Sequence, residues 1–142
     1  MEPINKSGFY ESSPTERFLL AQEGPDSNLV SGKDCLLCYF QDPAILCQID
    51  SVSLRIINSC GHDRLVPVSG HNLLRDEYPG IGPHIGIVIK AFMLSKSGIY
   101  SFDLACLDKS GKTISTVTLP GVSFAHDIDY WMNNWIPNGL AI

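Results

Sequence analysis

The residues best suited to chemistry lie in one short stretch of the chain. Cys60-Gly61-His62-Asp63 places a thiol, an imidazole and a carboxylate next to one another, and His84 follows in a later loop. Such groups could ligate a metal ion or form a nucleophile paired with a base. Adjacent positions in a turn rarely have that geometry, and Gly-x-Asp is also typical of a tight turn. We favour a surface turn with no metal; the alternative is a metal- or cysteine-dependent hydrolase that uses Cys60, His62, Asp63 and His84.

A second candidate is the C-x-x-C pair formed by Cys35 and Cys38. A structural zinc site needs four converging ligands, and the sequence has no second pair of this kind. On an extended strand, residues three apart point to opposite faces, so the two sulfur atoms would diverge. A redox pair instead lies at a helix N-terminus, where the dipole lowers a thiol pKa. We therefore expect two buried core thiols and no cofactor.

Recognised catalytic motifs are absent from the sequence: it has no nucleophile elbow, no H-E-x-x-H and no P-loop. Several glycines lie between Gly80 and Gly86, but their spacing differs from the dinucleotide fingerprint. Pro83 also interrupts them, and a strand pattern follows where that fingerprint requires a helix. These absences disfavour an enzyme.

Composition and charge exclude further classes. The 142 residues fit one domain, and with a net charge of −5 the lysines and arginines are scattered singly. Nucleic-acid binding requires a clustered basic face. The longest apolar stretch, Ile85–Leu94, contains Lys90 and is shorter than the ~20 residues that span a bilayer. Five cysteines without a secretion signal fit reduced thiols. We expect a cytoplasmic protein with no nucleic-acid or membrane partner.

Alternation of apolar and polar residues predicts strands through the middle of the chain. Two strand patterns and a hairpin turn at Asp108–Gly111 follow one another between Ile85 and Leu119, which predicts a β-meander. We expect Pro120-Gly121 to end it. The sequence thus predicts an all-β fold, an antiparallel β-sandwich over residues 33–124. The strands expected before the meander are Asp34–Phe40, Ile45–Cys47, Ser51–Asn58 and Arg64–Val68, the last at an edge because of Pro67.

The two ends of the chain carry helix signals instead. Ser13-Pro14-Thr15-Glu16 is a capping pattern, so a short helix is expected to continue through Phe18 and Leu19. Residues 1–32 are interpreted as an arm with this helix and a linker. Residues 125–142 are interpreted as an aromatic segment that packs on the sandwich, with a second short helix from Asp127.

These end segments favour a binding function. Tryptophan and tyrosine supply a large contact area with few rotatable bonds. We expect a non-enzymatic protein-interaction module, a subunit of a larger assembly or a homo-oligomer, that binds a protein partner or itself. A further alternative is a small-ligand sensor gated by the irregular Ser69–His84 loop. The expected partner-contact residues are Phe18, Leu19, Tyr78, Tyr130, Trp131 and Trp135.

The late hairpin carries one resemblance. Gly98–Cys106, the turn Asp108–Gly111 and the outgoing strand resemble the late hairpin of immunoglobulin-like sandwiches, in which Gly-x-Tyr precedes an alternating strand. The same residues are similar to the closing hairpin of small bacterial sandwich domains with no assigned activity. The earlier strands lack the Cys…Trp…Cys arrangement of true immunoglobulin domains. The resemblance implies a sandwich fold and, by analogy, binding rather than catalysis.

Overall fold

Two antiparallel sheets make up the described part of the chain. The computed structural model describes residues 8–11 (backbone only), 17–22, 29–76, 80 and 82–126. One sheet has the order β1-β2-β3-β7-β6 and the other the order β5-β4-β8-β9. The strands are β1 Gly8–Glu11, β2 Arg17–Ala21, β3 Cys35–Phe40, β4 Ser51–Asn58, β5 Asp63–Ser69, β6 Leu74–Arg75, β7 His84–Ile89, β8 Gly98–Leu107 and β9 Thr113–Phe124.

One apolar cluster joins the inner faces of the two sheets. Leu37 and Ile87 contribute from the first sheet, and Leu54 and Phe102 from the second. In β8, every second side chain from Tyr100 onward is buried, as the alternating sequence predicts. The all-β class is therefore confirmed, and the core lies where the alternating strands direct their apolar residues.

Strand β3 is buried on both of its faces. Leu37 and Tyr39 belong to the main cluster, whereas Cys38 and Phe40 belong to a second, smaller cluster on the opposite face. The continuous apolar run in the sequence is explained by this position, because a strand covered on both sides needs no polar alternation.

The predicted helix through Phe18 and Leu19 is wrong in its described part. Arg17–Ala21 is strand β2, and it pairs with β3 so that Phe18 lies opposite Tyr39. Pairing with a buried neighbour outweighs a local capping signal, because intrinsic helix propensity is weak. The capping residues 12–16 lie outside the described residues, as do Asp127 and the second expected helix. The division of the chain at residues 32 and 124 stays a prediction, although β1 and β2 extend the first sheet into the expected arm.

The prediction of a short strand over Ile45–Cys47 is also wrong. Pro43–Leu46 forms one helical turn, α1, whose N-cap residue Asp42 accepts a hydrogen bond from the Ala44 amide at 2.8 Å. Aspartate followed by proline is a standard helix start, because the cap satisfies a free amide and proline fixes the first φ angle. Among the described residues, no helix has the length and apolar character needed to cross a membrane.

The predicted meander is correct only in its second half. Strand β7 pairs with β3 and β6 in the first sheet, and β8 pairs with β4 and β9 in the second. A 3₁₀ helix over Ala91–Leu94, with Leu94 buried, carries the chain from one sheet to the other. The hairpin β8–β9 is confirmed. Its turn is organised by the Asp108 carboxylate, which accepts hydrogen bonds from the Ser110 and Lys112 amides.

Strand β9 is longer than predicted, since it passes through Pro120-Gly121 and ends at Phe124. The register against β8 shifts between Tyr100 and Phe102, opposite this Pro-Gly pair. Proline is tolerated in a strand at an edge or at a bulge, because its missing amide then removes no ladder hydrogen bond. In the described sheet, β9 is such an edge.

Candidate functional site

Residues 60–62 form a turn between β4 and β5, as expected, and Asp63 is the first residue of β5. Asn58 organises the turn through its side-chain oxygen, which accepts a hydrogen bond from the Cys60 amide at 2.9 Å. Arg55 holds the Asp63 carboxylate across the two strands and lowers the pKa of Asp63 through that hydrogen bond. The carboxylate is therefore bound in an ion pair on the surface.

The two histidines of the hydrolase hypothesis lie at different sheets, His62 in the turn before β5 and His84 in β7. His62 is exposed beside β5, with Nε2 at 3.1 Å from the Lys96 ammonium. His84 is buried at the start of β7, where Nδ1 lies 2.8 Å from the Gly82 carbonyl oxygen. Throughout the part of the chain that the structure describes, no group of three or more His, Cys, Asp or Glu residues could hold a metal ion.

The C-x-x-C cysteines are core thiols, as predicted. Cys35 belongs to the main cluster and Cys38 to the smaller cluster on the opposite face of β3. Burial raises the pKa of each thiol to about 12. Because the thiolate is the reactive and metal-binding form, neither cysteine is poised for chemistry at neutral pH.

The predicted partner-contact residues Phe18 and Leu19 require a correction. Their exposed fractions are 0% and 1%, so they present no surface to a partner in this structure. They belong to the core because β2 directs alternate side chains into the two clusters. The other four predicted contact residues, Tyr78, Tyr130, Trp131 and Trp135, lie outside the described residues.

The outer edge of β9 is a feature that the sequence reasoning missed. This strand forms one border of the second sheet, and its twelve residues include no charged side chain. Natural proteins protect sheet edges with charge, proline or short strands, because an open edge presents unpaired amides and carbonyls to other chains. Pro120 is the only such residue in β9, and among the described strands none pairs with the outer side of Thr113–Leu119.

The other outermost strands in the described sheets are short or carry charge or proline. Strand β5 contains Asp63, Arg64 and Pro67, and β6 is two residues long. Strand β1 has four residues and ends at Glu11. The contrast singles out β9 as the edge best suited to pair with another strand.

A shallow depression of about 370 Å³ adjoins this edge on the outer face of the same sheet. It is bordered by Thr116 and Thr118 of β9 and floored by small side chains such as Ser53 and Ala105. Leu65, on the far side, is 65% exposed. A partner strand at β9 would thus lie next to a surface of small residues that also carries the charged side chains of Arg55 and Asp103.

Comparisons with known proteins add no functional information. The chain matches no protein-family model, and no curated protein matches it.

Proposed function

We propose that this chain is a non-enzymatic protein-interaction module that associates with a second copy of itself through β9. In this proposal the two sheets are the layers of an immunoglobulin-like β-sandwich, and β9 is its binding edge. A cytoplasmic location suits the five cysteines, which are all free. The observation that carries the proposal is the absence of charge along a twelve-residue edge strand.

Self-pairing suits β9 for a simple electrostatic reason. In a dimer with twofold symmetry, the two copies of one strand run antiparallel and each residue meets another residue of the same strand. Charged residues in such a strand would often face like charges, which destabilises cross-strand pairs. Strand β9 has none, and threonine, valine and isoleucine favour extended backbone.

The available edge has a useful length. Thr113–Leu119 precedes Pro120 and would span roughly 23 Å at about 3.3 Å per residue. Pairing of this kind obtains affinity from main-chain hydrogen bonds, and side chains on alternate positions supply specificity. Thr116 and Thr118 are exposed and border the depression on the outer face of the sheet. In the proposed dimer they would therefore lie next to side chains on the outer face of the second copy.

The test compares native masses by light scattering on a sizing column. We expect the wild-type chain to elute at twice its mass of 15.6 kDa, with the dimer fraction rising with concentration by mass action. The double variant Thr116→Lys/Thr118→Lys should elute as a single chain, because lysines on an edge strand oppose pairing. Both threonines are exposed, so the fold should persist, as far-UV circular dichroism would show.

A matched control adds the same charge elsewhere. Ser69→Lys/Asn72→Lys introduces two lysines at exposed positions on the β5 side of the molecule, and this variant should remain dimeric. A wild-type chain that stays monomeric up to roughly 500 μM would overturn the proposal. So would a dimer that both double variants leave intact, since its interface would then lie away from β9.

A further inference from the structure

A cleft of about 190 Å³ lies at the end of the β4–β5 hairpin, away from β9. Ile56 and Tyr100 reach it from β4 and β8, and Phe92 and Met93 reach it from the 3₁₀ helix that connects the two sheets. Phe92 is 61% exposed, although it is a large apolar side chain. The cleft therefore has apolar and aromatic side chains in its lining, together with the polar Asn58 and Ser95.

Arg64 points into this cleft from the inner side of an edge strand. It lies opposite Ile56 across the β4–β5 pair, and Ile56 belongs to the core. Its guanidinium carbon is 5.3 Å from the centre of the Phe92 ring. Stacking on a ring occupies one face of a guanidinium and leaves its N–H groups free to donate in their own plane.

Lys96 and His62 add further donors to the same cleft. The Lys96 ammonium, which can only donate hydrogen bonds, lies 3.1 Å from His62 Nε2. The Tyr100 hydroxyl donates to the Lys96 carbonyl oxygen at 2.7 Å and fixes the backbone there. Lys96 thus keeps two N–H groups available.

Among the described residues, no aspartate or glutamate lines the cleft, and neither Arg64 nor Lys96 forms a salt bridge. Two cations thus line one cleft in a chain with 15 acidic and 10 basic residues. Like charges held together repel, and a bound anion would relieve that repulsion.

We infer that this cleft binds a small organic oxyanion, a flat apolar group of about one ring that carries a carboxylate or a phosphate. The volume suits a group of about one ring, because a cavity of about 150 Å³ accommodates benzene and this cleft has about 190 Å³. The ring lies against Phe92 and Met93, and the oxyanion accepts hydrogen bonds from Arg64 and Lys96. Arginine suits planar oxyanions, since its N–H groups match two oxygens at once.

The test is a titration of the full chain, followed by ¹H–¹⁵N NMR, with benzoate, phenyl phosphate, inorganic phosphate and benzyl alcohol as probes. We expect benzoate or phenyl phosphate to shift the amide signals of residues 62–64 and 92–96 saturably. Inorganic phosphate and benzyl alcohol should bind at least about tenfold more weakly, because each lacks one half of the recognised structure. Arg64→Gln and Lys96→Gln should each weaken binding about tenfold or more, since each removes a charge-assisted hydrogen bond.

Two controls separate this site from other effects. Lys112→Gln removes a cation from the β8–β9 turn, and Thr116→Lys/Thr118→Lys alters the β9 edge; both should leave the titration unchanged. No saturable shift by either aromatic anion up to roughly 10 mM would overturn the inference. If inorganic phosphate bound as tightly as the aromatic anions, the inference that the ligand carries an apolar ring would be wrong. If Arg64→Gln caused self-association without weakening any anion, Arg64 would be a protector of the edge, and the inference would be wrong.

Discussion

Replacing Phe18 with alanine tests whether the N-terminal residues belong to the core of the molecule. Phe18 has an exposed fraction of 0%, and its ring centre is 5.2 Å from that of Tyr39 in the neighbouring strand. Fully buried Phe→Ala substitutions cost about 3–5 kcal/mol, through lost transfer free energy and the cavity left behind. The stacked aromatic pair accounts for about 0.5–1.5 kcal/mol of such a loss.

That loss is a large share of the free energy of unfolding, which is about 5–15 kcal/mol for a typical domain. We therefore expect Phe18→Ala to reduce the free energy of unfolding by about 3–5 kcal/mol. The measurement is urea unfolding followed by far-UV circular dichroism, with the slope m compared between variants. An unchanged m with a lower midpoint would show that stability alone has changed.

Phe92→Ala is the matched control, because it removes the same side chain at a position that is 61% exposed. It should cost at most about 1 kcal/mol, mainly from its contact with the Arg64 guanidinium. A Phe18→Ala variant no less stable than Phe92→Ala would refute the reasoning. Residues 17–21 would then form an arm whose removal leaves the core intact.

Two further predictions concern thiols and pH. A thiol reagent under native conditions should modify the exposed Cys47 and Cys60 quickly and the three buried cysteines only after unfolding, as counted by mass spectrometry; a third fast thiol would contradict the burial. Hydrogen bonds from Ser110 and Lys112 hold the pKa of Asp108 below its usual range. The stabilisation that ionised Asp108 provides is therefore complete above the unfolded carboxyl pKa of about 4, and it is lost as the pH falls through the pKa of Asp108 in the folded protein. The melting temperatures of wild type and Asp108→Ala should hence converge between pH 7 and about pH 2.5; a gap that widened on acidification would contradict this account.

The strands that could be predicted are those whose own residues alternate between apolar and polar types. Ser51–Asn58 and Gly98–Cys106 alternate in residue type, and each buries one face, so the pattern alone indicates both the strand and its inner side. Asp108–Gly111 is equally local, since aspartate and glycine organise the turn without help from distant residues.

The elements that were missed depend on what lies next to them. Strand β2 has no alternation because both of its faces are buried, and a short apolar run after a capping pattern fits a helix equally well. Ala91 and Met93 continue the period of β7, yet they lie in a 3₁₀ helix that leads to the other sheet. No periodicity marks the point at which a chain changes sheets.

The same limit applies to the candidate sites. The sequence shows that Thr113–Phe124 contains no charged residue, but this observation suggests a binding edge only once β9 is known to border its sheet. Arg64 and Lys96 are far apart along the chain and line one cleft because a connection between sheets returns beside the β4–β5 hairpin. Strand order creates both features, and strand order is a tertiary property.

The two edges of the second sheet differ in a way that edge protection alone does not explain. Strand β5 carries Asp63, Arg64 and Pro67, any of which would hinder pairing, whereas β9 carries only Pro120 near its far end. A monomer that merely avoids aggregation needs protection at both edges, because either open edge can recruit another chain. In the proposed pairing, one protected and one unprotected edge would instead limit association to a single contact, so a dimer would close without extending into a fibre. On this reasoning, adding charge at β9 should abolish association altogether, without diverting it to β5.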